Sequence, residues 1–411
     1  MKYVVVGAGP AGVIAAETIR KRDKNGSVVL VGDEPEPPYS RMAIPYYLTG
    51  KIAEQGTHIR KTAGHYEKLN IERVAGQAAS VDPKKKTVAL DGGKTLAYDK
   101  LLVATGSHPI KPPVPGLDLP NVHHCWTLAD ARAIHKLAKK GAGVVLMGAG
   151  FIGCIILESL LESGVDLTVV EKADRMVPRM MDAEGGLLIK RWCEAKGVKV
   201  LTGTGVAKVE KGSKKALKVS LDSGAALDAD LLVVAAGVRA NADFLKGSGV
   251  TVEDGIRVDD RLRTSVDGIY AAGDCAQGPD ISGGYSVHAV QPTSADHGRI
   301  AGINMTGGDA AYKGSLSMNV LDTAGLVSAS FGLWDGVKGG ERATALDESA
   351  FRYIRLEFSG DKLVGALSLG RTDQIGVVRG LIQTGVALGP WKARLLEDPH
   401  RIADAYVACT Q

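Results

Sequence analysis

Two copies of one glycine motif constrain the fold of this chain more than any other feature. Each copy has the form GxGxxG, follows a valine-rich run and precedes a segment with helical periodicity. The glycines are Gly7, Gly9 and Gly12 in "YVVVGAGPAG" and Gly148, Gly150 and Gly153 in "GVVLMGAGFIG". The first glycine permits a tight turn, the second lets a pyrophosphate approach the backbone, and the third lets helix and strand pack closely. Two such motifs predict two dinucleotide-binding sites on α/β domains.

Each motif is followed by a second apolar run that ends near an acid. "SVVLVG" leads into Asp33 and Glu34, and "DLTVVE" ends in Glu171. An acid about 20 residues past the glycines is where a ribose hydroxyl is held. Glu171 would repel the 2′-phosphate of NADP and so favours NAD, whereas Lys172 and Arg175 close by leave NADP open.

Three further segments each indicate a strand that opens into a turn of small residues. They are "YDKLLVATGSHP", "DLLVVAAGVRAN" and "DGIYAAGDCAQ". The residues at these turns are Ala104, Thr105 and Gly106, then Gly237, then Gly273 and Asp274. Asp274 is predicted to lie at a helix start, where a carboxylate flanked by amides suits the ribityl and pyrophosphate part of a flavin.

The composition narrows the classes of function. With 411 residues, 45% of them apolar, the chain is long enough for two or three packed domains. The net charge of +4 comes without a basic block, which argues against nucleic acid or a membrane surface as partner. Met1 leads directly into the first motif, so no signal peptide is expected, and the cysteine pattern described next fits a reducing cytoplasm.

The five cysteines are scattered along the sequence, and no two have the CxxC spacing. They are Cys125, Cys154, Cys193, Cys275 and Cys409. This pattern argues against a disulfide framework, a zinc site and a protein-held iron–sulfur cluster. "HHC" at residues 123–125 lacks further ligands nearby, so we expect a strand or loop there and no metal site.

The order of these motifs resembles that of the two-dinucleotide-binding-domain flavoproteins, the FAD- and NAD(P)-dependent pyridine nucleotide oxidoreductases. The loop "PPYSR…YYL" and the later "GRIAGINMTG…LSMNVL" are most similar to NADH-dependent rubredoxin and ferredoxin reductases and to the flavin region of assimilatory nitrite reductase. The resemblance implies a glutathione-reductase-like α/β fold with two Rossmann-like three-layer domains and a small α+β C-terminal domain. It places a split FAD-binding domain at 1–113 and 245–318, an NAD-binding domain at 114–244 and an interface domain at 319–411.

The resemblance also implies roles for particular residues. Asp274 would bind the ribitol or phosphate of FAD, Arg41 would hold its adenine-nucleotide part, and a helix from about Thr293 would present amides to the flavin ring. Residues 34–50, "EPEPPYSRMAIPYYLTG", hold four prolines and are predicted to form an irregular loop that clamps FAD, too proline-rich for a helix. Tyr46 and Tyr47 can pack near the flavin or serve as ordinary packing residues.

Relatives that reduce disulfides or peroxides carry one or two redox cysteines in this loop, whereas here Met42 occupies the position. A thioether cannot become the thiolate nucleophile that such chemistry requires. Electrons are therefore expected to leave from the flavin itself, and no side chain is assigned as a catalytic acid, base or nucleophile. Ile155 stands where the family often has a glutamate near the nicotinamide. Tyr46 stands where ferredoxin reductases of oxygenase systems often have a lysine near the flavin, and this second departure disfavours an oxygenase partner.

The resulting prediction is an FAD-containing NADH oxidoreductase that exchanges electrons with an iron–sulfur protein. The partner would be ferredoxin, rubredoxin or the clusters of a multisubunit complex such as a 2-oxoacid oxidoreductase, and flux could run toward NAD reduction. The C-terminal domain would form a homodimer or hetero-oligomer interface. An NADH oxidase reacting with oxygen and a flavin-bearing redox sensor or scaffold are the alternatives.

Overall fold

The computed structural model describes residues 1–410, and these form two compact units. The first unit comprises Met1–Tyr47, Ile52–His108 and Val238–Ser315. The second comprises Leu48–Lys51, Pro109–Gly237 and the described chain from Leu316 onward. None of the helices in residues 1–410 combines the length and apolar character needed to cross a bilayer.

A five-stranded parallel sheet forms the centre of the first unit. Its strands, in spatial order, are Ile269–Ala271, Lys100–Val103, Lys2–Val6, Ser27–Gly32 and Ile71–Ala75. Four of these strands are nearly continuous buried apolar runs, as expected of a parallel sheet covered on both faces, whereas the edge strand Ile71–Ala75 exposes Glu72 and Arg73. The helices Pro10–Arg22 and Gln291–Met305 pack against each other in this unit.

Smaller elements complete the first unit. They are the antiparallel sheet Ala78–Asp82, Thr87–Leu90 and Thr95–Ala97, the sheet Ile256–Arg257, Ala276–Pro279 and Tyr285–Val287, the short strand Val238–Ala240 and the helix His65–Lys68. The short strand Ser107–Pro109 begins in this unit and ends at Pro109, the first residue of the next segment of the second unit. The predicted helix from about Thr293 is confirmed, and it begins two residues earlier at Gln291.

The second unit contains a second five-stranded parallel sheet. Its strands, in spatial order, are Lys199–Thr202, Asp166–Glu171, Gly143–Met147, Leu231–Val234 and Val122–His124. Its helices are Leu128–Leu137, Phe151–Glu162 and Ala183–Ala195, and its small antiparallel sheet is Val206–Lys211, Leu217–Leu221 and Ala226–Ala229. The segment 123–125 therefore begins on a strand, as predicted.

The chain from Met318 onward forms an antiparallel sheet with helices, which confirms the α+β character predicted for it. The strands, in spatial order, are Met318–Thr323, Leu326–Gly332, Lys362–Leu369, Arg352–Ser359 and Glu341–Asp347. The helices are Ile375–Thr384, Pro390–Glu397 and Ile402–Thr410. Two parallel α/β sheets and this smaller part confirm the predicted fold class.

A buried ion-pair network ties the C-terminal sheet to the helix Ala183–Ala195 within the second unit. Arg355 donates to Asp182 Oδ2 at 2.8 Å and to Glu357 Oε1 at 2.5 Å, and Tyr353 Oη donates to Asp182 Oδ2 at 2.5 Å. Asp182 also caps the helix by accepting from the backbone N–H of Gly185. The side chains of Arg355 and Glu357 are only 6% and 4% exposed, so each charge depends on its partners.

Glu17 on the helix Pro10–Arg22 gives the first testable prediction, which concerns stability in acid. Burial alone would raise the pKa of Glu17, but hydrogen bonds from Arg60 and His65 outweigh it and lower that pKa below its ordinary 4.5. Stability from the depressed pKa is present above pH 4.5 and is lost as the pH falls through the folded-state pKa. Glu17→Gln should therefore lower the free energy of unfolding by about 1–2 kcal/mol at pH 7 and by less in acid.

Urea unfolding of wild type and Glu17→Gln at several pH values measures this difference. Glu67→Gln is the matched control, because its salt bridge with Arg73 is exposed and should contribute little at any pH. A Glu17→Gln deficit that stays constant down to pH 3 would contradict the assignment.

Candidate cofactor-binding sites

The first glycine motif forms a tight turn between its strand and its helix. Gly7 has a φ of +112°, and a Cβ added to it would lie 2.0 Å from the carbonyl oxygen of Ala104. A Cβ on Gly12 would lie 1.9 Å from the carbonyl oxygen of Gly7. Glycine is therefore required at both positions for the close approach of these backbones, and Ala104 lies directly against the motif.

The second motif repeats this geometry in the other unit. Gly148 has a φ of +104°, and its Cβ would lie 2.4 Å from the carbonyl oxygen of Ala235. A Cβ on Gly153 would lie 2.2 Å from the carbonyl oxygen of Gly148. The two predicted motifs therefore share their close backbone contacts as well as their sequence pattern.

The middle glycine of each motif is the one that faces open space. Gly9 and Gly150 cap the helices Pro10–Arg22 and Phe151–Glu162, with φ values of −77° and −75°. A Cβ on either would have no neighbouring atom within 4 Å. Neither glycine is needed for the backbone conformation or for packing. The absence of a side chain at Gly9 and Gly150 leaves room for a phosphate at each helix N-terminus, as the binding of FAD or NAD requires.

Glu171 lies at the second motif and is held there by backbone amides. It accepts from the N–H of Ala149, inside the motif, at 2.6 Å and from the N–H of Ala173 at 2.8 Å. This is the position from which a carboxylate could accept from the ribose of NAD. Arg175 donates to the carbonyl of Met181 and to Asp174, which supports NAD over NADP.

The acids of the first motif occupy a different register. Gly7 and Gly148 donate to the carbonyls of Val31 and Val170 respectively, so Gly32 is the structural equivalent of Glu171. Asp33 and Glu34 follow one and two residues later. The sequence spacing alone did not reveal this offset.

Glu34 is engaged by side chains of the proline-rich loop. Its Oε1 accepts from Arg41 Nη2 at 2.8 Å, and its Oε2 accepts from Tyr39 Oη at 2.6 Å. Arg41 in turn reaches the predicted turn at Ala104–Gly106, because its Nη1 lies 3.9 Å from the position of a Cβ on Gly106. Glu34 therefore orients Arg41, a role that its position in the sequence did not indicate.

The loop itself differs from the prediction in one respect. Arg41–Ala43 form a 3₁₀ turn and Ile44–Leu48 form a short α-helix, so the expectation that prolines exclude a helix here was wrong. Pro45 is tolerated because it lies in the first turn, where its missing N–H has no helical acceptor. Tyr46 is 55% exposed.

The turn after Ala104 is held by Asn241, which the sequence analysis did not single out. Thr105 Oγ1 donates to the carbonyl of Asn241 at 2.7 Å, and Asn241 Nδ2 donates to the carbonyl of Thr105 at 2.9 Å. The backbone N–H of Asn241 also donates to the carbonyl of Gly106. Gly237 lies in the same sequence segment as Asn241, "DLLVVAAGVRAN", and has a φ of +107°.

Asp274 lies in a 3₁₀ turn, Gly273–Cys275, and a strand follows, so the prediction of a helix start was wrong. Glycine at 273 has a φ of +78°, and its Cβ would lie 3.0 Å from Ala11 Cβ in the first motif. Burial raises the pKa of Asp274, although Ser294 and Arg41 oppose this. The structure therefore brings Asp274, Arg41 and the first glycine motif together within the first unit.

The burial of the five cysteines disfavours the thiolate form of each. Cys125, Cys154, Cys193 and Cys275 are buried, and Cys409 is half-buried. Burial raises the pKa of all five, that of Cys125 and Cys193 to about 12. Cys154 and Cys275 have no solvent-exposed surface, as expected of packing residues. The loop residue Met42 is 52% exposed.

Comparisons with known proteins agree with this geometry. The family model described as pyridine nucleotide-disulphide oxidoreductase matches residues 1–298. Subunit epsilon of the NADH-dependent phenylglyoxylate dehydrogenase of Aromatoleum evansii is 31% identical over 401 residues, which cover 97% of this chain and 95% of the relative. Rubredoxin-NAD(+) reductase of Pseudomonas putida is 31% identical over 278 residues, covering 67% of this chain and 72% of that protein.

A solved structure extends the similarity to three dimensions. The water-forming NADH oxidase of Lactobacillus brevis, bound to NADH, superposes with a TM-score of 0.86 at 26% identity, covering 94% of this chain and 92% of that one. The predicted cofactors, FAD and NAD, are those that the family uses, and the chain is an oxidoreductase. It belongs to the pyridine nucleotide-disulphide oxidoreductase family.

Proposed function

We propose that this protein passes electrons between NAD(H) and an iron–sulfur protein through FAD, without a thiol relay. The observation that carries the proposal is the state of its sulfur atoms. The family resemblance implies that Met42 stands at the loop position of the redox cysteine, and burial raises the pKa of every cysteine. A buried thiol with a raised pKa is a poor nucleophile, so disulfide or peroxide chemistry on this chain is disfavoured.

The residues of the first unit would hold FAD. The amides at Gly9 would bind the pyrophosphate, Arg41 would supply a charge-assisted donor oriented by Glu34, and Asp274 would accept from the ribityl chain. The remaining residues that we assign to this site are Gly7, Gly12, Asp33, Tyr46, Ala104, Thr105, Gly106 and Gly273. FAD, when bound, supplies the ability to take up a hydride from NADH and to release electrons singly.

The residues of the second unit would hold NAD. The amides at Gly150 would bind its pyrophosphate, and Glu171 would accept from its adenosine ribose. Gly148 and Gly153 shape this loop, and Gly237 lies in the turn that follows the strand Leu231–Val234. We further propose that the C-terminal domain, 319–411, meets the electron-transfer partner or a second subunit.

The names of two relatives support an electron-transfer partner. One relative is a rubredoxin-NAD(+) reductase, and the other is a subunit of an NADH-dependent dehydrogenase. A free carrier and a fixed subunit of a complex are both compatible with the proposal, and so are both directions of flow. The second candidate function is NADH oxidation by oxygen, which the similarity to the Lactobacillus brevis oxidase favours.

An anaerobic half-reaction experiment separates these two functions. The purified protein is bleached with one equivalent of NADH and then mixed with oxidised rubredoxin, with a ferredoxin, or with air-saturated buffer. We expect reoxidation by an iron–sulfur carrier to be faster than reoxidation by oxygen. Reoxidation that is fast with oxygen and absent with both carriers would replace the proposal by an oxidase.

Alkylation gives the second prediction. Treatment of NADH-reduced protein with iodoacetamide at neutral pH should leave the rate of NADH-dependent reduction of the iron–sulfur carrier within about 20% of the untreated rate, because thiolate is the reactive form and the thiols are protonated. Mass spectrometry of the intact protein counts the modified thiols. Loss of activity in step with the alkylation of one cysteine would contradict the absence of a thiol relay.

A further inference from the structure

The turn that carries Asp274 is attached to one face of the helix Gln291–Met305 at two points. Ser294 Oγ donates to Asp274 Oδ1 at 2.9 Å. Three residues further along the helix, His297 Nδ1 accepts the backbone N–H of Gly273 at 3.3 Å. Residues three apart lie on the same helix face. One contact therefore holds the carboxylate of the turn and the other holds its backbone.

The same helix also touches the first glycine motif. A Cβ on Gly298, the neighbour of His297, would lie 2.3 Å from the carbonyl oxygen of Ala11. Ala11 is also the residue that Gly273 approaches from the turn. His297 thus lies where the turn, the helix and the motif meet, and its contact with Gly273 fixes the turn relative to the helix.

The protonation state of His297 allows its Nδ1 to accept a hydrogen bond. The residue is 2% exposed, and its ring meets the ring of Tyr312 edge-on at 4.6 Å between centroids. Burial lowers the pKa of His297 to about 4, with a smaller effect from His288, so the ring is neutral at pH 7. Because Nδ1 accepts, the proton resides on Nε2.

The other ring nitrogen argues against a role in packing alone. Within residues 1–410, Nε2 is buried and has no hydrogen-bond partner. A buried donor without an acceptor destabilises a fold, so an apolar side chain would serve better if this position only filled space. The bond that His297 does make, at Nδ1, is the one that explains its presence.

We propose that His297 is a positioning residue for FAD, which fixes the Gly273–Cys275 turn so that Asp274 is presented to the ribityl and pyrophosphate part of the cofactor. The inference rests on the FAD site proposed for the first unit. Ser294 orients the carboxylate, and His297 orients the backbone that carries it. Neither residue takes part in the transfer of electrons.

Two substitutions at position 297 test the acceptor. His297→Leu replaces the acceptor with an apolar side chain of similar size, whereas His297→Asn provides an acceptor oxygen near the position of Nδ1. We expect His297→Leu to weaken FAD binding by about tenfold and His297→Asn to stay within about threefold of wild type. The readout is the dissociation constant of FAD for the apoprotein, measured by flavin fluorescence, together with the visible flavin spectrum.

A double-mutant cycle tests whether His297 acts through Asp274. Asp274→Asn should weaken FAD binding by itself, and His297→Leu added to it should weaken binding by less than about threefold more. Asn304→Ala is the matched control, because Asn304 makes its hydrogen bonds at the far end of the same helix. It should leave the affinity for FAD unchanged.

Each contrary outcome has a distinct meaning. Unchanged FAD affinity in His297→Leu, equal losses in the leucine and asparagine variants, or full additivity with Asp274→Asn would overturn the role of His297. A loss in Asn304→Ala equal to that in His297→Leu would show a general effect of the helix and would also overturn it. Wild-type apoprotein that takes up no FAD would instead overturn the FAD site itself.

Discussion

Replacement of Gly150 by alanine is expected to raise the KM for NADH at least about tenfold while the purified protein keeps its full FAD content. The backbone of Gly150 is one that alanine adopts, and the added Cβ would have no protein atom within 4 Å. The methyl group would instead occupy space proposed for the pyrophosphate of NAD. Loss of a hydrogen bond to a charged phosphate costs about 1.5–3 kcal/mol, which corresponds to tenfold or more. Steady-state kinetics with ferricyanide and flavin absorbance measure the two quantities.

Two other glycines provide matched controls for this experiment. Gly9→Ala has the same open surroundings in the first motif and should reduce the content of FAD rather than the affinity for NADH. Gly153→Ala would bring a Cβ to 2.2 Å from a backbone oxygen and should lower the stability of the second unit itself. Loss of FAD in Gly150→Ala, with its KM for NADH unchanged, would mean that the two motifs have been assigned to the wrong cofactors.

Replacement of Arg355 by methionine should lower the free energy of unfolding of the second unit by about 3–5 kcal/mol. The change removes the central cation of the buried network and leaves Asp182 and Glu357 with fewer partners. Burial would then raise the pKa of Asp182, which the hydrogen bonds from Tyr353, Gly185 and Arg355 now hold below its usual range. Chemical denaturation followed by circular dichroism measures the loss.

The control for the network is an exposed pair in the same unit. Lys208 and Glu210 form a salt bridge with side chains about half exposed, so Lys208→Met should cost less than about 1 kcal/mol. A cost for Arg355→Met as small as that of the control would show that the buried network contributes little to stability.

The sequence predicted the fold well because both glycine motifs are local. A tight turn, an open loop and a helix–strand contact are all encoded within a dozen residues, and Gly7, Gly9 and Gly12 each occupy the environment that the motif implies. The valine-rich strands of the parallel sheets were recognisable for the same reason, since burial on both faces leaves a continuous apolar run.

Long-range contacts account for the residue pairings that the sequence did not predict. Asn241 bonds to Thr105 across 136 residues, and Arg355 bonds to Asp182 across 173, so no spacing rule could pair them. The contact of His297 with Gly273 could not be predicted from spacing either, because two strands lie between these residues in the sequence. Asp33 lies one residue beyond the structural equivalent of Glu171, which is Gly32. Only the backbone hydrogen bonds of Gly7 and Gly148 establish this equivalence.

The most direct test of the central claim, electron transfer from FAD without a thiol relay, is an anaerobic titration of the purified protein with dithionite. Absorbance is followed in the visible flavin band, and the electrons consumed per FAD are counted against a standardised titrant. Because four of the five cysteines are buried and burial raises the pKa of all five, we predict that reduction is complete after two electrons per FAD. Uptake of four electrons per FAD, with a charge-transfer band between thiolate and flavin, would show a redox-active cysteine pair and contradict the account.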